Sequence, residues 1–144
     1  MARPQEVLAD ITSVRDAGID TIVSLLEPAE AAKFGLKDED EICVGLGMTF
    51  LNHPIRDMHL PDPDSFVVFT ANLAERLMNG ANIAVHCYAS IGRSGMLTCS
   101  TLGHFDFDPE IALEHVSAKR GVPVPDTAEQ AAFIRNTIAE QTKR

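Results

Sequence analysis

The sequence predicts an α/β fold: a single domain with a central, mainly parallel sheet of about four or five strands and helices on both faces. Short, continuous apolar runs alternate along the chain with longer amphipathic segments, which is typical of parallel sheets covered by helices. The chain has 144 residues, 45% hydrophobic and 23% charged, which fits one globular domain with a core. We therefore interpret residues 1–144 as one domain.

The first half of the chain predicts helices and strands from apolar spacing and turn residues. A first helix is predicted before Gly18, because apolar residues recur there at helical spacing: Val7, Leu8, Ile11 and Val14. Two apolar runs, 21–26 and 49–53, predict strands. The segments between them, 28–34 and 39–48, predict short helices. The charge run 37–41 is interpreted as the solvated start of the second short helix.

The second half predicts a loop, a strand and four helices. Residues 54–64 contain three prolines and are predicted to form a loop. A helix follows, with Asp64-Ser65 as its cap, and then a buried strand over 82–85 and a helix over 95–102. The last two helices are predicted to begin at Asp108-Pro109 and at Asp126-Thr127.

Between that strand and helix, a cysteine and an arginine stand five residues apart in a loop of small residues: His86-Cys87-Tyr88-Ala89-Ser90-Ile91-Gly92-Arg93-Ser94-Gly95. Backbone N–H groups of such a loop, together with the helix dipole, form a cradle for an anion. A thiol at its start is expected to be largely thiolate, and an arginine at its end can bind two phosphate oxygens at once. These parts suit transfer of a phosphoryl group to sulfur.

The simpler interpretation of this loop is a small buried cysteine in a strand-to-helix turn, with Arg93 in a surface ion pair. Cys99 lies in the apolar helix and is interpreted as a core residue, and Cys43 lies in the short helical stretch 39–48 and is interpreted as core or half-buried. Ser94 can donate a hydrogen bond to the sulfur of Cys87 or cap the following helix, and the two roles are compatible.

Phosphoryl transfer to sulfur also needs an acid for the departing oxygen. Three carboxyl groups of the proline-rich loop are candidates: Asp57, Asp62 and Asp64. Asp62 and Asp64 can instead cap the next helix, whereas Asp57 lies closest to the strand end and has no capping role within reach. Since loops at the carboxyl ends of parallel strands share one edge of the sheet, we expect this loop to face the Cys87 loop.

Composition restricts the partners. The net charge of −9 argues against nucleic acid or an acidic membrane surface as the main partner. The first residues contain no apolar signal segment, and three irregularly spaced cysteines do not suggest disulfides, so we expect a cytoplasmic protein, with a monomer favoured. The other histidines are not spaced like the ligands of a metal site, so neither a metal nor another cofactor is expected. These histidines are His53, His59, His104 and His115.

These motifs resemble those of the cysteine-dependent protein phosphatases, in particular the compact dual-specificity and tyrosine-phosphatase-like group that includes the kinase-associated phosphatases and bacterial relatives. The similarity extends from about Leu8 to Ile138. It implies that Cys87 is the nucleophile, that Arg93 and loop residues 88–92 hold the phosphate, and that Asp57 is the acid. Substrate-binding residues would be Tyr88, Ala89, Ser90, Ile91, Gly92 and Arg93, with His86 orienting Cys87 by hydrogen bonding to nearby backbone.

The chain departs from the family pattern at three places. Where relatives carry two glutamines that place the hydrolytic water, this chain has Asp126 and then Gln130. Ser90 replaces a common glycine in the signature loop. The N-terminal strand or hairpin of many relatives is short or absent.

The resemblance favours a phosphorylated protein or peptide as substrate, phosphotyrosine above all. Three alternatives remain at this point: a phosphatase for a phosphoinositide, nucleotide or other small ester; a thiol redox or sulfur-transfer protein of the arsenate-reductase or rhodanese type; and an inactive phosphate-binding module. Uncharged Tyr88 and Ile91 argue against highly charged inositols, and Asp57 and Ser94 have no evident task in redox chemistry.

Overall fold

A computed structural model describes residues 4–88 and 91–142 as seven helices and three strands. In chain order these are α1 (Pro4–Asp16), β1 (Thr21–Ser24), α2 (Pro28–Lys33), α3 (Glu39–Gly45), β2 (Thr49–Asn52), α4 (Pro63–Met78), β3 (Ile83–His86), α5 (Gly92–Gly103), α6 (Pro109–Arg120) and α7 (Ala128–Thr142).

The three strands form one parallel sheet in the order β2-β1-β3. All four residues of the central strand β1 are buried, and Thr21 is in register with Thr49 on one side and Ile83 on the other. The predicted α/β class with a parallel sheet is confirmed. The described sheet has three strands rather than four or five, because the chain has three strand-like apolar runs and the segment before β1 is the helix α1.

Helices cover both faces of this sheet, as predicted. Side chains alternate along β1, so Ile22 packs in a small cluster with residues of α1 and α3, whereas Val23 packs in a larger cluster with residues of α4 to α7. The larger cluster also contains Cys87 and Cys99, and the smaller one contains Cys43. Helix α5, which follows the Cys87 loop, packs against α4, α6 and α7 and is buried along most of its length.

Caps at helix ends follow local chemistry, with one correction to the prediction. Asp62, not Asp64-Ser65, caps α4: its side chain accepts a hydrogen bond from the Ser65 N–H at 3.0 Å, because Pro63 occupies the first helical turn. Asp108 caps α6 as predicted, and α6 ends at Gly121 in the left-handed conformation. Among the helices within 4–88 and 91–142, none is both long and apolar enough to cross a membrane.

Candidate active site

The loop between β3 and α5 buries Cys87 directly behind the end of the strand. Cys87 is 9% exposed, and the hydroxyl of Ser94 donates a hydrogen bond to its sulfur at 3.1 Å. Helix α5 begins at Gly92, three residues earlier than predicted, so Ser94 lies within the first turn and is not the helix cap. Ala89 and Ser90, two of the predicted substrate-binding residues, lie outside the described residues.

Arg93 is fully buried and is anchored through the ends of its guanidinium group. Its Nη1 and Nη2 atoms donate to the two carboxylate oxygens of Glu30 at 2.7 and 3.0 Å, and Nη1 also donates to the Ile55 carbonyl at 2.8 Å. Burial by itself lowers the pKa of Arg93, but the hydrogen bonds and charge of Glu30 more than offset this and hold the pKa above its ordinary value. The alternative prediction of a surface ion pair for Arg93 is wrong, since Arg93 is 1% exposed.

The proline-rich loop meets the Cys87 loop at Arg93. An oxygen of Asp57 lies 3.3 Å from Nη2 of Arg93, while the Asp57 side chain remains more than half exposed to solvent. Asp62 points its carboxylate into the start of α4, where the Ser65 N–H lowers the pKa of Asp62 below its ordinary value. Of the three candidate acids, Asp57 is therefore the one with an observed contact to Arg93, and the expected meeting of the two loops is present.

Asp126 and Gln130 lie against the other side of the Cys87 loop. A Cβ atom built on Gly92 would collide with the carboxylate of Asp126 and lie 3.0 Å from Oε1 of Gln130, so any larger residue at this position would displace these two side chains. Gln130 is fully buried, and its Oε1 accepts hydrogen bonds from the backbone N–H groups of Asp126 and Thr127. Its Nε2 has no partner among the described groups.

Two aromatic rings stack at the start of the Cys87 loop. Tyr88, the residue after Cys87, stacks on Phe34 with ring centroids 5.1 Å apart, and Tyr88 is 66% exposed. Phe34 directly follows α2, the helix that provides Glu30. In the sequence, Tyr88 directly follows Cys87, and Phe34 lies four residues after Glu30, the partner of Arg93.

Two acidic residues of this region were not predicted from the sequence. Glu30 pairs with Arg93, and Glu39 places Oε2 2.7 Å from Nε2 of His86. The predicted partner for the His86 ring was nearby backbone, whereas the observed partner is this carboxylate. Glu39 was interpreted as part of a solvated charge run, yet it is 5% exposed. The sequence signal that could have found Glu30 and Glu39 was their position in the chain: both lie in helices that follow the carboxyl end of β1, the edge of the sheet that also carries the Cys87 loop.

The other two thiols, Cys43 and Cys99, are buried and have raised pKa values. Burial, followed by the charges of Glu39 and Asp40, raises the pKa of Cys43 to about 11. Burial alone raises the pKa of Cys99 to about 12. Both are interior residues, as predicted. Within residues 4–88 and 91–142, no cluster of three or more histidine, cysteine or acidic side chains has a geometry that would hold a metal ion.

Comparison with protein families gives a direct match. Residues 1–104 match the Tc-R-P family, described as the DSP-PTPase phosphatase of polymorphic toxin systems. The chain belongs to this family. It is thus a member of the dual-specificity and tyrosine phosphatase superfamily, and the resemblance inferred from the signature loop is confirmed.

Curated relatives of this DSP-PTPase include cyclin-dependent kinase inhibitor 3 from Mus musculus and Homo sapiens. The mouse protein is 24% identical over 131 residues and the human protein 24% identical over 132 residues. Each match covers 90% of this chain, which spans 62% of the length of those relatives.

Solved structures share the fold. A structure of kinase associated phosphatase (KAP) superposes with a TM-score of 0.86 at 22% identity, covering 95% of this chain and 78% of that one. Tk-PTP in its active form gives 0.76 at 24% identity, covering 96% and 88%. PTPMT1 in complex with PI(5)P gives 0.77 at 19% identity, covering 91% and 83%.

Proposed function

We propose that this DSP-PTPase hydrolyses phosphate monoesters on proteins, phosphotyrosine foremost, through a phosphocysteine intermediate on Cys87. Arg93 and the loop amides hold the phosphoryl oxygens, Asp57 is the general acid and base, and Ser94 assists the departing sulfur. The observation that carries the proposal is a pair of contacts in the first turn of α5: Arg93 meets Asp57 of the proline-rich loop, and the next residue, Ser94, donates a hydrogen bond to the sulfur of Cys87. Neither a metal nor another cofactor takes part in these steps.

In the first step, the thiolate of Cys87 attacks phosphorus in line with the ester oxygen. A bond forms between sulfur and phosphorus, the bond between phosphorus and the ester oxygen breaks, and Asp57 donates its proton to that oxygen. Glu30 and the Ile55 carbonyl occupy Nη1 of Arg93, and Glu30 also contacts Nη2. The guanidinium is thereby held rigidly while its remaining donors can bind the oxygens that gain charge.

In the second step, water attacks the phosphocysteine. The Asp57 carboxylate accepts a proton from that water, a new bond between oxygen and phosphorus forms, and the sulfur–phosphorus bond breaks. Cys87 leaves as a thiolate that accepts the Ser94 hydrogen bond, and inorganic phosphate is released. Gln130 and Asp126, which pack against Gly92, are the side chains that we assign to holding the water.

The preference for an aryl phosphate rests on the stacked rings of Tyr88 and Phe34 at the start of the loop. A flat, apolar wall beside the nucleophile suits the ring of phosphotyrosine. The loop from Tyr88 to Gly92 contains no charged residue, so a multiply phosphorylated inositol would lack basic partners within it. The names of two similar proteins, cyclin-dependent kinase inhibitor 3 and kinase associated phosphatase, also support a protein substrate.

The test is a set of initial rates on matched phosphotyrosine, phosphoserine and phosphothreonine peptides, and on PI(5)P, with EDTA present. We expect EDTA-resistant release of phosphate from the phosphotyrosine peptide at the highest kcat/KM. The matched control is Cys87→Ser, which keeps the loop and removes the nucleophile.

Each outcome of this assay has a definite meaning. Cys87→Ser should lose turnover by at least about 10³-fold and still bind phosphate, since serine is not a thiolate at neutral pH. Comparable release from all three peptides would indicate a dual-specificity site. Release from PI(5)P alone would overturn the protein substrate, and undiminished turnover by Cys87→Ser would overturn the mechanism.

A further inference from the structure

Met58, the residue after the proposed acid Asp57, has a backbone conformation that its side chain does not favour. Its φ is +65°, in the left-handed region. Among the described residues other than glycine, only Asp106 shares this region, and aspartate tolerates it because its short side chain can hydrogen-bond to nearby backbone. Met58 has no such group and is 53% exposed, so packing does not hold it there. Other contacts must therefore maintain this conformation.

The conformation belongs to a tight turn over residues 56–59. The N–H of His59 donates to the carbonyl of Arg56 at 3.0 Å and closes the turn. A positive φ at Met58 but not at Asp57 is the pattern of a type II turn, whose third residue is usually glycine. In this turn the peptide group between Asp57 and Met58 is turned over relative to the more common type I turn. The Asp57 carbonyl therefore points to the opposite side.

The ring of His59 meets that carbonyl. Nδ1 of His59 lies 2.8 Å from the carbonyl oxygen of Asp57. A carbonyl oxygen only accepts hydrogen bonds, so Nδ1 carries a proton and donates it to this contact. The proton is present on Nδ1 in one neutral tautomer and in the imidazolium alike, so the contact does not require a charged ring. Through its backbone and its ring, His59 thus binds two successive carbonyls, those of Arg56 and Asp57.

This turn carries the Asp57 carboxylate to Arg93. The chain is firmly held up to Ile55, which is buried, donates its N–H to the Leu25 carbonyl and accepts a hydrogen bond from Arg93. Two residues later, a carboxylate oxygen of Asp57 lies 3.3 Å from Nη2 of Arg93, while more than half of the Asp57 side chain is exposed. Because packing restrains so exposed a side chain little, its position depends on the turn.

We propose that His59 is a positioning residue: its ring holds the Asp57 carbonyl and keeps the strained turn in the form that presents the Asp57 carboxylate at Arg93. This inference rests on the proposed role of Asp57 as the general acid. Without the ring, the peptide between Asp57 and Met58 can turn over, which releases the strain at Met58 and lowers the population with the acid in place. The loss then falls on substrates whose leaving oxygen needs a proton.

The experiment compares kcat/KM on phenyl phosphate, whose leaving group needs a proton, with kcat/KM on p-nitrophenyl phosphate, whose leaving group needs one much less. His59→Ala removes the ring. His59→Asn keeps an N–H donor of similar reach in place of Nδ1. The matched control is His115→Ala, which removes an exposed histidine of α6.

We expect His59→Ala to lower kcat/KM on phenyl phosphate about three- to tenfold, the effect of one hydrogen bond, and to leave kcat/KM on p-nitrophenyl phosphate within about twofold of the parent. His59→Asn should recover most of the loss, and His115→Ala should match the parent on both substrates. Met58→Gly in the His59→Ala background should also recover activity on phenyl phosphate, because glycine adopts the left-handed conformation without strain. A residue that only stabilises the fold would show neither recovery.

A second measurement does not depend on turnover. The nitrogen NMR spectrum of the histidine rings is recorded above the titration range of histidine, and the His59 signals are assigned by their absence in His59→Asn. We expect the proton of the His59 ring on Nδ1. Asp57→Ala should leave it there, because the contact is to the backbone carbonyl of Asp57.

Three outcomes would each overturn the inference: a His59 ring proton on Nε2, equal losses on the two substrates in His59→Ala, or no recovery in either rescue variant. A parent protein without Cys87-dependent hydrolysis would refute the proposed function instead. The ring spectrum would then still decide whether His59 holds the turn.

Discussion

Two acidic side chains, Glu30 and Glu39, make the same kind of contact with the two ends of the signature segment, and their partners differ in chemistry. Glu30 binds both ends of the Arg93 guanidinium, and Glu39 binds one nitrogen of the His86 imidazole. Each carboxylate belongs to a short helix that follows the carboxyl end of β1.

The difference lies in the number of contacts that hold each partner. Glu30 accepts two hydrogen bonds from Arg93, and it holds the pKa of Arg93 above its ordinary value against the effect of burial, so this pair stays charged throughout the physiological range. Glu39 meets His86 through one pair of atoms, Oε2 and Nε2. The first pair therefore fixes both the position and the orientation of its partner, while the second fixes one ring nitrogen.

The largest effect is expected from Arg93→Lys, which breaks the first pair but keeps the charge. Lysine lacks the planar fork that binds Glu30 and the Ile55 carbonyl and that we propose also binds phosphate. We expect kcat/KM on p-nitrophenyl phosphate to fall by about 10³-fold or more, with a loss of phosphate affinity. A loss below about tenfold would mean that charge alone is sufficient there.

Asp57→Ala removes the third group that contacts Arg93, after Glu30 and the Ile55 carbonyl. It should show whether Asp57 donates a proton or only holds Arg93 in place. We expect a loss of about 10²- to 10³-fold on phenyl phosphate, whose leaving group needs a proton, and a much smaller loss on p-nitrophenyl phosphate. The control is Asp62→Ala in the same loop: it removes the cap of α4 and should lower Tm slightly, with equal effects on both substrates. Equal losses in Asp57→Ala would move the acid role elsewhere.

Glu30→Gln should reduce kcat/KM by about 10- to 100-fold, because a neutral amide cannot accept both guanidinium bonds. The hydrogen bond from Arg93 lowers the pKa of Glu30, so its stabilising effect is present above the ordinary carboxyl range and is lost only as pH falls through the lowered value. The loss should therefore be the same at about pH 5.5 and 8. A loss that varies across that interval would mean that Glu30 is not ionised throughout it.

Local features of this protein were predictable because they depend on neighbours in the chain. The apolar runs predicted the three strands, and residues 82–85 and 95–102 predicted the strand and the helix on either side of the Cys87 loop. The start of α5 and the cap of α4 were placed two or three residues away from their observed positions, since competing cap residues stand side by side in the sequence. The number of strands was overestimated because the class of fold does not specify it.

The sequence by itself determined the class of fold, because the alternation of apolar runs and amphipathic segments is visible along the chain. It also determined the spacing of Cys87, Arg93 and Ser94 that indicates the family, because these residues lie within eight consecutive positions. Only the tertiary structure decided which carboxylates support them. Glu30 lies 63 positions from Arg93 and Glu39 lies 47 positions from His86. In the chain both look like ordinary surface acids, and packing of α2 and α3 beside the parallel strands brings Glu30 against Arg93 and buries Glu39 against His86.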